Sequence, residues 1–90
     1  MSRTVYLDAG RLSNRMQAHS YLASMLSLPE YYGKNLDALY DCLCDLTDCR
    51  IVLLHEKKAP LDGTYGARII QVIQESARRN PGLVFKKSDE

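Results

Sequence analysis

The chain reads as one small α/β domain, a three-stranded parallel sheet flanked by three or four helices. Three observations predict it. With 90 residues, a chain buries only about 60–65% of its unfolded surface, which suffices for one core and no more. Short apolar runs alternate with stretches of helical spacing in the order strand, helix, helix, strand, helix, strand. Strands separated by helices pair in parallel through right-handed crossovers. A composition of 46% hydrophobic and 26% charged residues is that of an ordinary soluble domain. No repeat, linker or low-complexity segment divides residues 1–90.

Thr4-Val5-Tyr6-Leu7-Asp8 is a β-rich run that ends at Gly10, the first strand. Ser13 is placed to cap a helix in which Leu12, Met16, His19, Ala23 and Leu26 form one apolar stripe, with Leu22 on its flank. A histidine on such a stripe is expected to be a satisfied core residue. Pro29 cannot continue that helix. Gly33 permits a tight, positive-φ turn, and Asn35 can cap a second helix running to about Thr47. In that helix Leu36, Leu39, Tyr40, Leu43 and Leu46 lean towards the core. Ile51-Val52-Leu53-Leu54 is a continuous apolar run, as in a central strand covered on both faces. Residues 57–66 form a loop with room for one short helical turn. Residues 67–79 are helical and bury Ile69, Ile70, Ile73 and Ala77. Asn80-Pro81-Gly82 breaks that helix, Leu83-Val84-Phe85 makes the last strand, and residues 86–90 are a polar tail expected to fray.

The net charge of +1 is unevenly placed. Glu30, Asp37, Asp41, Asp45 and Asp48 face only Lys34 between residues 30 and 48. This acidic segment repels nucleic acid and attracts basic proteins. The basic residues are scattered elsewhere, unlike a nucleic-acid footprint. Nothing approaches a membrane span, and the first ten residues lack a signal-peptide core. Three cysteines cannot all pair within the chain. Together these features predict reduced thiols and a cytoplasmic location.

Asp37, Asp41 and Asp45 recur every four residues and so share one helical face. Asp37 gains from the helix dipole; the other two do not, and like charges at this spacing repel by about 0.2–0.5 kcal/mol. A solvated face is the ordinary explanation of a charge run. Tyr31, Tyr32 and Gly33 immediately before it favour a docking surface instead, because aromatic anchors beside charges are typical of interfaces. Residue chemistry alone leaves both explanations open. Cys42, Cys44, Cys49 and His55 make a poor metal set, since Cys42 and Cys44 diverge by about 200° around a helix. Asp37 and Asp41, with Glu75 nearby, could serve a small hydrolase as acid and base. No nucleophile with recognised spacing accompanies them. His55, at the end of the central strand where parallel sheets place ligand sites, is weak support for such an activity.

The run Leu28-Pro29-Glu30-Tyr31-Tyr32-Gly33-Lys34-Asn35-Leu36-Asp37-Ala38-Leu39-Tyr40-Asp41-Cys42-Leu43 resembles the barstar family, intracellular inhibitors of small secreted ribonucleases. The resemblance extends more weakly through Gly66-Ala67 and Gln71-Val72-Ile73-Gln74-Glu75. It implies the same three-stranded fold and a 1:1 complex with a basic extracellular ribonuclease or ribonuclease-like toxin. It implies no catalysis, cofactor or metal, and a monomer when free. By similarity Asp41 occupies the phosphate subsite, and Asp37 and Glu75 add acidic contacts. Tyr31 stacks on the partner, Gly33 and Asn35 give close backbone or polar contact, and Leu36 and Tyr40 form an apolar border. Asp45 extends the acidic stripe. The chain departs from the family pattern at Tyr40, at Cys44-Asp45-Leu46 and at Arg79. These changes move negative charge along the surface and imply a cognate nuclease other than the type enzyme. The alternative is an adaptor or immunity protein for some other basic partner.

Overall fold

A computed structural model describes residues 3–55 and 63–88. Its elements follow the predicted order: β1 (Arg3–Asp8), a 3-10 turn (Ala9–Leu12), α1 (Arg15–Leu26), α2 (Leu36–Cys44), β2 (Cys49–Leu54), α3 (Tyr65–Arg79) and β3 (Leu83–Lys87). The strands form a parallel sheet in the order β1-β2-β3. Val5 is in register with Ile51, and Ile51 with Phe85; Tyr6 is in register with Val52, and Val52 with Lys86. Registered neighbours share a face. One face therefore carries Val5, Leu7, Ile51, Leu53, Leu83 and Phe85, which join Leu22, Leu26, Leu39, Leu43, Ile69 and Ile73 of the helices in one core. The opposite face carries Thr4, Tyr6, Arg50, Val52, Val84 and Lys86.

That opposite face corrects the expectation for the central strand. β2 is central, but Val52 and Leu54 are only half-buried, and beside them Tyr6 is 55% and Val84 42% exposed. Among the described residues the helices pack from one side, so the alternate residues of the apolar run lack their cover. Most of the predicted loop, residues 57–62, lies outside the described residues. Its end is described: Gly63 takes φ +86°, and Thr64 caps α3 by accepting from the Ala67 amide.

The first helix differs in cap and phase. Asn14, not Ser13, is the N-cap, its Oδ1 accepting from the Gln17 amide at 3.1 Å. The buried face is Ala18, His19, Leu22 and Leu26, while Met16 is 76% exposed. The reason is that Leu12 belongs to the 3-10 turn and cannot set the phase of α1. The helix ends before Pro29, as expected, with Ser27 in the left-handed region at φ 53°. The Arg3 guanidinium donates to the last carbonyl, that of Leu26, at 3.1 Å. At the other end of the chain Lys86 and Lys87 belong to β3 rather than to a frayed tail, and the Ser88 amide still bonds the Leu53 carbonyl. Pairing with the central strand holds them.

His19 is fully buried and, as expected, satisfied. Its Nδ1 bonds the Tyr32 hydroxyl, and its Nε2 lies 2.7 Å from the Tyr65 hydroxyl. A neutral imidazole has one donor and one acceptor nitrogen, so one tyrosine donates and the other accepts. This trio ties α1 to the loop before α2 and to the first residue of α3. Burial, and then Arg15 and Lys34, lower the His19 pKa from its usual 6.5. Protonation therefore favours the unfolded chain: the contribution is complete above pH 6.5 and is lost as pH falls towards the lowered value. The urea midpoint should drop from pH ~7.5 to ~5.5, and His19→Gln should flatten that drop. Tyr32→Phe should cost about 1–3 kcal/mol at neutral pH by stranding a buried imidazole nitrogen.

Candidate protein-binding face

The loop between α1 and α2 is built to present one tyrosine and bury the next. The Tyr32 amide closes a turn onto the Pro29 carbonyl at 2.9 Å, and Tyr32 turns inward to His19. Tyr31 is left 87% exposed. The positive-φ residue of this loop is Lys34, at φ 54°, and not Gly33. A Cβ at Gly33 would lie 3.1 Å from the Asn35 Nδ2, so the Asn35 amide would have to give by a few tenths of an ångström. Asn35 caps α2 as predicted, its Oδ1 accepting from the Ala38 amide at 2.8 Å. Its amide group reaches back to the Gly33 carbonyl at 3.4 Å.

On α2, Leu39 and Leu43 are fully buried, and Leu36 and Tyr40 half-buried, while Asp37 and Asp41 face solvent. The helix ends at Cys44, short of Thr47, so Asp45 is its exposed C-cap rather than a third carboxylate on the helix. Asn80 accounts for that end. Its Nδ2 donates to the Leu43 carbonyl at 2.9 Å, which also accepts from the Leu46 amide, and to the Leu46 carbonyl at 2.7 Å. Its Oδ1 accepts from the Gly82 amide at 2.9 Å. Gly82 passes so close to the segment that follows α2 that a Cβ would lie 3.0 Å from the Leu46 carbonyl oxygen. The breaker after α3 thus also fixes where α2 stops.

Between α2 and α3 runs an open groove of about 430 Å³ lined by Leu36, Asp37, Tyr40, Arg68, Gln71, Val72 and Glu75. It brings together four of the predicted residues: Leu36, Asp37, Tyr40 and Glu75. Tyr31, Gly33 and Asn35 lie on the adjoining loop, and Asp41 and Asp45 on exposed surface outside the groove's lining. Arg68, Gln71 and Val72 were missed. Their spacing from Glu75, at seven, four and three residues, was the signal that they share its face. Tyr40 has its pKa raised by removal from water, then by a hydrogen bond with Cys44, against the pull of the nearby Arg79. The Cys42 thiol is also raised, by burial and then by Asp45 and Asp41, and so stays protonated at neutral pH. All three cysteines are free. Among the described residues no three His, Cys, Asp or Glu side chains converge as metal ligands, and no helix is long and apolar enough to cross a membrane.

The family pattern of the Leu28–Leu43 run is borne out across the chain. A family described as "Barstar (barnase inhibitor)" matches residues 2–87. This chain belongs to the barstar family. A Bacillus subtilis (strain 168) protein named "Putative ribonuclease inhibitor YrdF" is 35% identical over 77 residues, covering 82% of this chain and 85% of that protein. Membership supports a ribonuclease-inhibitor role and points to a non-catalytic protein. The cap that starts the acidic helix can be tested directly. Asn35→Ala should lower stability by about 1 kcal/mol in urea denaturation, with α2 amides showing the largest loss of hydrogen-exchange protection.

Proposed function

We propose that this protein inhibits a barnase-type ribonuclease by seating the face formed by Tyr31, α2 and Glu75 in the enzyme's cationic active site. A ribonuclease must hold the phosphate backbone with cationic groups. Carboxylates aimed at those groups replace phosphates and form charge-assisted, often bidentate, bonds with Arg. The observation that carries the reading is the juxtaposition of a fully projecting aromatic, Tyr31, with exposed carboxylates on the first turns of a capped helix. In this reading Asp41 takes the phosphate position, with Asp37 and Glu75 beside it. Tyr31 stacks on the enzyme, Gly33 and Asn35 let the loop approach closely, and Leu36 and Tyr40 seal the border. Asp45 extends the negative field. The inhibitor acts as one copy against one enzyme, in the cytoplasm, against a basic extracellular ribonuclease or ribonuclease-like toxin. It carries out no chemistry of its own.

Opposite charges steer such a pair together, so association should be fast and should slow as salt rises. Titration into barnase, following RNA cleavage, should give inhibition that weakens with salt. Asp41→Ala should weaken it on the order of a hundredfold or more, as expected when one partner of a desolvated ion pair is removed. The melting temperature should scarcely move, since Asp41 is exposed. A large loss of stability with unchanged inhibition would remove Asp41 from the interface.

A further inference from the structure

We infer that Arg68 and Arg79 act as a charge filter, so that the cognate ribonuclease sets a carboxylate against α3 while offering its cations to α2. This rests on the inhibitory face proposed above and adds the chemistry of the partner's border. The two walls of the face differ in charge. α2 contributes Asp37 and Asp41, both exposed and both negative. α3 contributes Arg68, Glu75 and Arg79, also exposed, in the sequence positive, negative, positive. Arg68 lines the same groove as Asp37 and Glu75. Arg79 follows Glu75 by four residues, on the same side of the helix, and lies near Tyr40. The two cations are thus spaced roughly 16 Å apart along α3.

An inhibitor shaped only to fill a cationic pocket gains nothing from guanidinium groups in its contact surface. A uniformly cationic partner is attracted by α2 and Glu75 but repelled at both ends of α3, and like charges brought together at an interface reject the wrong partner. A partner with a carboxylate bordering its cationic site meets both walls favourably, and an Arg–carboxylate pair can be bidentate. Arg50, on the open sheet face away from the groove, offers an internal control.

The test measures barnase binding by wild type, Arg68→Glu, Arg79→Glu, Arg50→Glu and Asp41→Ala at two salt concentrations. The filter predicts that reversal at Arg68 or Arg79 tightens binding at least about tenfold, chiefly at low salt, while Arg50→Glu changes it by less than about threefold. Equal gains in all three charge-reversed variants would reduce the effect to net charge and overturn the filter. No gain at Arg68 or Arg79, with Asp41→Ala still weakening binding, would overturn the filter and leave the inhibitory face standing. Binding that is insensitive to Asp41 and to both arginines, or absent in every variant, would overturn both.

Discussion

The whole arrangement follows from burying one face of a three-stranded parallel sheet. Parallel strands need crossovers, and in this chain the crossovers supply helices to the same side. Leu7, Ile51 and Leu53 present that side with no exposed surface of their own. Once α2 and α3 lie side by side over it, their outer surfaces form a shallow two-walled face rather than a closed pocket. A domain of this size has little interior left for an enclosed active site. A projecting face of this kind suits the proposed docking into another protein's cleft.

Two polar devices turn that packing into a defined surface. The His19–Tyr32–Tyr65 trio anchors the loop that carries Tyr31 to both α1 and α3. The Asn80 amide anchors the other end of α2, taking the Leu43 and Leu46 carbonyls. α2 is short, nine residues, and a helix of that length is marginal without tertiary support. With its start capped by Asn35 and its end held by Asn80, it can carry exposed carboxylates that do little for its own stability. The loop and helix are then set before a partner arrives, which lowers the ordering cost of binding.

Much of this was legible in the residues. The order of elements, the Asn35 cap, the burial of His19 and the break at Asn80-Pro81-Gly82 all follow from local chemistry. The misplacements have physical causes of one kind. Leu12 looked like the start of the α1 stripe but lies in a 3-10 turn, so Met16 was put on the wrong side. Gly33 suggests a positive φ, yet that conformation falls on Lys34, while a Cβ at Gly33 would crowd the Asn35 cap. Local spacing carries α2 on to Thr47, because nothing local announces that an asparagine far along the chain will hold its end. Asp45 left the helical stripe for the same reason. For the binding face, the loop and α2 were readable as one continuous motif, and Glu75 only through the family resemblance. Arg68 was not seen because its importance depends on α2 lying next to it, and such proximity is a tertiary fact.

One face, made of the Tyr31 loop, α2 and the facing side of α3, is proposed to meet the ribonuclease. The most direct test maps backbone amide shifts of the labelled protein as barnase is added. Changes should be concentrated between Tyr31 and Asp45 and between Arg68 and Arg79, with Tyr6, Val52 and Val84 unmoved. Changes centred on the open sheet face, with Tyr31 and Asp41 unaffected, would contradict it.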